Sequence, residues 1–294
     1  MPLDVGFIGL GTMGAGMARN LAKAGFPLAL ATRSAGKAKA FAAEIGARAC
    51  DSPDAVASAA DVVVSCLPDA PEVEEVHLGP RGTLSGARKD AVFIDCSTIA
   101  PDAAVSIAAR LAKGGVRFLD APVSGGQKGA IEGTLTFFVG GDAAALERAR
   151  PVFQAMGRRI THLGASGSGQ LGKAVNQVVV ADTLLAVSEG LALAQKAGLP
   201  LPALHEALLG GAARSWMLEV LGQKMMDRDF KPAFAVKHQQ KDLAIVLKTA
   251  REKGVPLPGA ALVHQLLSAL EAQGRGDDGT QALLTLYERM TAKA

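Results

Sequence analysis

From residue 3 to about 163, short apolar runs alternate with stretches of helical periodicity. The runs are Val5-Gly6-Phe7-Ile8, Leu28-Ala29-Leu30, Val62-Val63-Val64, Val92-Phe93-Ile94 and Arg117-Phe118-Leu119. Several are apolar throughout, the pattern of strands covered on both faces of a parallel sheet. Helical crossovers are predicted between them, for example at Gly14 to Ala24 and Pro101 to Lys113. Pro101 suits a first-turn position, and Gly114-Gly115 ends that segment. Leu135-Thr136-Phe137-Phe138-Val139 reads as a further strand near the sheet edge. This half is predicted to be an α/β, Rossmann-type doubly wound domain.

After Gly169 the strand signal nearly disappears. Gln170 to Ala197 is one helical pattern, about 42 Å long at 1.5 Å per residue, stopped by Gly198 and Pro200. Later helical segments are separated by Gly210-Gly211, Pro232, Gly254 to Pro258 and Gly274-Arg275-Gly276. The expected organisation is a Rossmann domain over 1–164 and an all-α domain over 165–294, joined by a long interdomain helix at about 170–197. Gly164-Ala165-Ser166-Gly167-Ser168 resembles a nucleophile elbow until Ser replaces the final Gly. It reads as a flexible joint. The long helix is apolar around most of its circumference, with Val178, Val179, Leu184, Leu185, Leu191 and Leu193, so burial on several sides is expected.

Charge and composition narrow the partners. Among 294 residues, 31 Lys and Arg face 28 Asp and Glu, a net charge of +3 that gives no basis for binding nucleic acid or an anionic membrane. One Trp, one Tyr and ten Phe provide little base-stacking surface. The start, Met1-Pro2-Leu3-Asp4, lacks a basic region, and its apolar run is short for a signal peptide. No stretch reaches the ~18 apolar residues of a membrane span; Val178 to Ala194 is interrupted by Asp182 and Glu189. Cys50, Cys66 and Cys96 are widely spaced and read as small core residues of a reducing compartment, the cytoplasm by default. No His has a His or Cys partner at metal-ligand spacing, so no bound metal is expected.

Gly9-Leu10-Gly11-Thr12-Met13-Gly14 matches Gly-x-Gly-x-x-Gly between a strand and an Ala/Leu-rich helix. The first two glycines permit a tight turn that lets a pyrophosphate reach the amides of the helix N-terminus, and the third permits close strand–helix packing. After the second strand the chain reads Ala31-Thr32-Arg33-Ser34, with no carboxylate to hold a ribose 2′-hydroxyl. A guanidinium there suits a 2′-phosphate, so NADP is expected over NAD. The alternative is that Arg33 is a solvated loop cation.

Asp120-Ala121-Pro122-Val123-Ser124-Gly125-Gly126 follows a strand and combines a hydroxyl with successive glycine amides, a set that can hold one carboxylate. Lys173, Asn176 and Gln177 stand at i, i+3 and i+4 and share a helix face. The helix dipole and partial desolvation both disfavour the ammonium, the setting of a lysine that exchanges a proton with a carbonyl oxygen. On spacing alone, a lysine kept for solubility explains Lys173 equally well.

These motifs together resemble the β-hydroxyacid dehydrogenases. This 6-phosphogluconate dehydrogenase-like group contains 3-hydroxyisobutyrate dehydrogenase and tartronate semialdehyde (2-hydroxy-3-oxopropionate) reductase. The resemblance runs from Gly6 to Gly14 through Asp120 to Gly126 and Gly169 to Gln177, then to Phe230-Lys231-Pro232-Ala233-Phe234 and Lys241-Asp242-Leu243. It implies Lys173 as catalytic acid/base, with Ser124, Gly125, Gly126, Asn176 and Gln177 at the substrate. It also implies Cys66-Leu67-Pro68, Thr98, Phe234 and Lys241 as cofactor contacts, and a homodimer or homotetramer. NAD-preferring members of the reductase subgroup place Asp where Thr32 stands here. The Asn176-Gln177 pair departs from the Asn-Asn of many members and is similar to the tartronate semialdehyde reductases.

The expected activity is therefore hydride transfer between NADP(H) and a short β-hydroxyacid or semialdehyde acid. Succinic semialdehyde or glyoxylate reduction is the alternative chemistry. A non-catalytic NADP-binding scaffold is the alternative class, and an imine reductase is disfavoured by Lys173. One methylene in a pocket is worth only ~1–3 kcal/mol, so the sequence leaves the substrate open.

Overall fold

The computed structural model describes residues 3–291, so Met1 and Pro2 of the N-terminal reading lie outside the described residues. The chain divides into two compact units, Met1–Lys173 and Ala174–Ala294.

In the first unit the strands are β1 (Val5–Ile8), β2 (Leu28–Ala31), β3 (Arg48–Ala49), β4 (Val62–Ser65), β5 (Val92–Asp95), β6 (Arg117–Asp120), β7 (Val123–Ser124), β8 (Leu135–Gly141) and β9 (Gly157–Gly164). The helices are α1 (Thr12–Lys23), α2 (Ala35–Ile45), α3 (Pro53–Ser58), α4 (Ala70–Leu78), α5 (Pro101–Lys113), α6 (Gly126–Glu132) and α7 (Ala143–Met156). The sheet runs β3-β2-β1-β4-β5-β6-β8-β7, with β9 on β8. Strands β1 to β6 pair in parallel, β8 runs antiparallel to β6 and β7, and β9 is parallel to β8. Every residue of β1, β2, β4 and β5 is buried, which explains their unbroken apolar runs. Strand order reverses at β1, which pairs with both β2 and β4. The crevice beyond the carboxyl ends at such a reversal is where open α/β sheets hold ligands.

Three strands lack the expected apolar signal. β3 spans two residues, and β7 occupies only Val123–Ser124. β9 is an outer strand whose Arg158, Arg159, Thr161, His162 and Leu163 are exposed, so no core-facing run announces it.

The long helix α8 spans Ser168–Lys196, and Gly198 beyond it takes φ +69°, as expected of its stop. The division between the two compact units falls inside α8, after Lys173. Added Cβ atoms show why: Gly169 would meet Asp120 and Phe138, and Gly172 would meet Leu163 and Phe138, all in the first unit. In length and hydropathy α8 is apolar enough to cross a membrane, contrary to the reading that no stretch qualifies. Burial accounts for that composition, because Ala181, Leu184, Val187 and Leu191 form part of the second unit's core. Val175, Val179 and Leu193 are exposed instead, at 66%, 61% and 73%.

The rest of the second unit is helical: α9 (Leu201–Leu209), α10 (Gln223–Met226), α11 (Val236–Lys253), α12 (Pro258–Ala272) and α13 (Leu284–Thr291). A π-helical turn covers Met217–Gly222, and the β element outside the sheet is one isolated bridge between Ala235 and Gly279.

Candidate active site

The glycine loop leaves β1 and enters α1. Gly9 takes φ +100° and donates its N–H to the Ala31 carbonyl at 3.1 Å. A Cβ on Gly14 would collide with the Gly9 carbonyl oxygen and lie 3.0 Å from the Phe7 ring. These two glycines are required by the fold. Gly11 differs, because a Cβ there would meet no atom within 4 Å. Gly11 is the N-cap of α1 and no side chain caps this end, so helix amides face an open cradle. That cradle fits the pyrophosphate of a dinucleotide.

At the end of β2, Thr32 is half-buried and Arg33 exposed. Ser34 caps α2, its hydroxyl accepting from Lys37 N at 3.4 Å. Arg33 makes no ion pair among the described residues, so its guanidinium is available to an anion.

Beyond β4 and β5 lie Cys66-Leu67-Pro68 and Thr98. Cys66 N–H donates to the Ile8 carbonyl at 3.0 Å, which ties this turn to β1. Cys66 is half-buried, unlike the buried Cys50 and Cys96, because it stands just past the carboxyl end of β4. Leu67 N–H donates to Ser97 Oγ at 2.8 Å, and Ser97 Oγ donates to Asp95 Oδ1 at 2.6 Å. Ser65 Oγ donates to the same carboxylate oxygen at 2.7 Å and lies 3.0 Å from His77 Nε2, while His77 Nδ1 is 2.8 Å from Thr83 Oγ1. This buried chain of polar groups braces both turns from beneath. Burial pushes the Asp95 carboxyl up to about 6, against the pull of the Ser97 and Ser65 hydroxyls. Burial pushes His77 down to about 3.

Ser124 ends β7 half-buried, and Gly125 and Gly126 start α6 at φ +124° and +61°. A Cβ on Gly126 would meet nothing within 4 Å. Open space therefore lies on the Gly126 side of this turn, while a Cβ on Gly125 would touch the Leu135 side chain at 3.4 Å.

Segment 164–168 is not the flexible joint expected. Buried Asp120 accepts from Gly167 N at 2.8 Å through Oδ1 and from Gln170 N at 3.0 Å through Oδ2. Ser168 N donates to the Ala165 carbonyl at 3.0 Å. Burial raises the Asp120 carboxyl above its ordinary value despite those backbone donors. Asp120 thus pins the N-terminus of α8, a role sequence reading did not assign it. Its clearest sequence signal is a lone carboxylate closing an apolar strand.

Lys173 follows one turn later and is 8% exposed. In the second unit, Asn176 Nδ2 donates to Gln177 Oε1 at 2.8 Å, and Gln177 Nε2 donates to Asp242 Oδ2 at 2.7 Å. Lys241 Nζ is 3.1 Å from Asp242 Oδ1. Asp242 is therefore the hub joining Gln177 to Lys241, a second residue whose role only the packing reveals. Phe234 is half-buried, its ring 6.0 Å from His238. Among the described residues no group of three His, Cys, Asp or Glu stands together as a metal site.

A glycine cradle at the reversal point of a doubly wound sheet marks a dinucleotide-binding protein. Residues 4–164 match the family described as the NAD binding domain of 6-phosphogluconate dehydrogenase. Residues 167–287 match the family described as NAD-binding of NADP-dependent 3-hydroxyisobutyrate dehydrogenase. The 2-hydroxy-3-oxopropionate reductase of Escherichia coli is 40% identical, over 98% of each chain. The 3-hydroxyisobutyrate dehydrogenase of Pseudomonas aeruginosa is 39% identical over 92% of each. A solved Mycobacterium tuberculosis 3-hydroxyisobutyrate dehydrogenase with L-serine superposes with a TM-score of 0.89 at 32% identity, covering 99% of this chain and 100% of that one. The chain belongs to the β-hydroxyacid dehydrogenase family, and it is a hydroxyacid dehydrogenase or reductase.

Proposed function

We propose that this chain is an NADPH-dependent reductase of a short β-semialdehyde acid, running in reverse as a 3-hydroxyacid dehydrogenase. The observation that carries the reading is Lys173: a lysine residue only 8% exposed, on one helix face with Asn176 and Gln177. A lysine kept for solubility would extend into water. The bound nicotinamide supplies or accepts the hydride. Lys173 donates a proton to the carbonyl oxygen as the aldehyde is reduced and takes it back in the reverse direction. Ser124 Oγ and the Gly125 and Gly126 amides hold the substrate carboxylate, and Asn176 and Gln177 line the pocket. The Asp242 hub fixes the Gln177 amide and the Lys241 ammonium.

The preference for NADPH rests on Arg33, exposed and without a neighbouring carboxylate at the end of β2. The glycine loop, the Cys66-Leu67-Pro68 turn and Thr98 provide the remaining cofactor contacts of the first unit. Cys50, Cys66 and Cys96 form no disulfide among the described residues, which suits a reducing compartment such as the cytoplasm. A second copy of the chain would cover Val175, Val179 and Leu193, in a homodimer or homotetramer; light scattering reads this directly.

The test is a spectrophotometric panel of NADPH and NADH with tartronate, methylmalonate and succinic semialdehydes and glyoxylate. The reading expects turnover of at least one C3–C5 semialdehyde acid with NADPH favoured. Tight NADPH binding with no turnover across the panel would favour a non-catalytic scaffold.

A further inference from the structure

Gln170 is 2% exposed, and every polar group of its side chain is engaged. Its Oε1 accepts from Ile99 N at 3.1 Å and its Nε2 donates to the Ser97 carbonyl at 2.9 Å. One amide thus brackets Thr98, bonding to the residue on either side. Its own backbone N–H donates to Asp120 at 3.0 Å, and Lys173 follows at i+3 on the same helix face. Ser97 extends the connection, since its Oγ accepts from Leu67 N at 2.8 Å. The turns after β4 and β5 and the first turn of α8 therefore form one hydrogen-bonded unit. All of it lies within the first unit of the chain.

We propose that Gln170 is a positioning residue that fixes the Lys173 amine relative to the Thr98 turn. The inference rests on the proposed reductase reading, in which Thr98 meets the cofactor and Lys173 the reacting oxygen. An ordinary helix start needs only the backbone cap that Asp120 already provides. The Gln170 side chain instead joins two elements that must keep a fixed spacing while hydride and proton move. A misplacement near 1 Å in such a pair can cost about 10²-fold in rate. A Leu at this position would fill similar space and leave the Ile99 N–H and Ser97 C=O without their partner. A Glu would keep an acceptor for Ile99, but its carboxylate would face the Ser97 carbonyl until protonated.

The test compares Gln170→Leu, Gln170→Glu and Lys173→Ala, using NADPH with tartronate semialdehyde and NADP with 3-hydroxyisobutyrate. In Gln170→Leu, kcat should fall about 10- to 100-fold while KM and the NADPH Kd stay within about threefold. Amide exchange over residues 97–99 should quicken in the cofactor-free protein, a readout independent of turnover. Activity of Gln170→Glu relative to wild type should climb as pH falls, because the protonated carboxyl again donates to Ser97; that of Gln170→Leu should not. Should Gln170→Leu fail to fold, the Gln170→Glu pH profile decides alone. Wild-type kcat in Gln170→Leu, a loss confined to the NADPH Kd, or a flat Gln170→Glu profile overturns the inference. If Lys173→Ala loses turnover and Gln170→Leu does not, only the inference fails. If Lys173→Ala keeps full turnover, the reductase reading fails and takes the inference with it.

Discussion

A methyl group on Gly14 would occupy the space of the Gly9 carbonyl oxygen, whereas one on Gly11 would meet no protein atom within 4 Å. The same six-residue motif therefore holds a glycine the fold needs and a glycine whose position the fold leaves open. Gly14→Ala should cost about 1–3 kcal/mol or more through overpacking. Gly11→Ala should cost about 1 kcal/mol or less, the loss of a favourable N-cap residue, since Gly11 has an ordinary φ of −73°. It should nevertheless lose NADPH affinity by about tenfold or more, because each 1.4 kcal/mol of lost contact is tenfold. Thermal melts and fluorescence titrations with NADPH separate the two effects.

Arg33 predicts a cofactor-specific defect. Hydrogen bonds to a charged group are worth about 1.5–3 kcal/mol, so Arg33→Ala should weaken NADPH binding roughly 10- to 100-fold. NADH binding should stay within about twofold, since NADH carries no 2′-phosphate for this contact. Equal losses for both nucleotides would remove Arg33 as the discriminating residue.

The buried network beneath the turns after β4 and β5 sets an acid response with two opposing parts. The folded pKa of His77 is lowered to about 3 from 6.5, so its contribution is present above 6.5 and lost as pH falls toward 3. Asp95 is raised to about 6 from 3.8, so its contribution is present below 3.8 and lost as pH rises through 6. Between about 4 and 6 the two nearly cancel. Relative to wild type, His77→Gln should gain stability toward acid in that window, and Asp95→Asn should lose it. Each slope should approach about 1.4 kcal/mol per pH unit, one proton's worth. Urea unfolding at pH 4, 5 and 6 measures both slopes.

Much of this architecture was legible in the sequence because its core strands are apolar on both faces and its glycines carry positional meaning. Pro101 to Lys113 falls where the helix forms, and Val5 to Ile8 where the first strand does. β9 was not legible, because an outer strand with Arg158, Arg159 and His162 in water carries no buried pattern. At the site, the glycine loop and the Lys173 face stood out through local spacing. Asp120, Gln170 and Asp242 did not, because their roles depend on partners 47 to 73 residues away in the chain. The joint at 164–168 shows the same limit, since its glycines suggest freedom while a distant carboxylate holds it.

The most direct measurement is the single-turnover rate of Lys173→Ala with saturating NADPH and a semialdehyde acid that wild type reduces, alongside the NADPH Kd. Proton transfer by Lys173 predicts a rate lower by about 10²–10⁴-fold, the range of general acid–base catalysis, with the Kd essentially unchanged. A variant that reduces the aldehyde at the wild-type rate would contradict it.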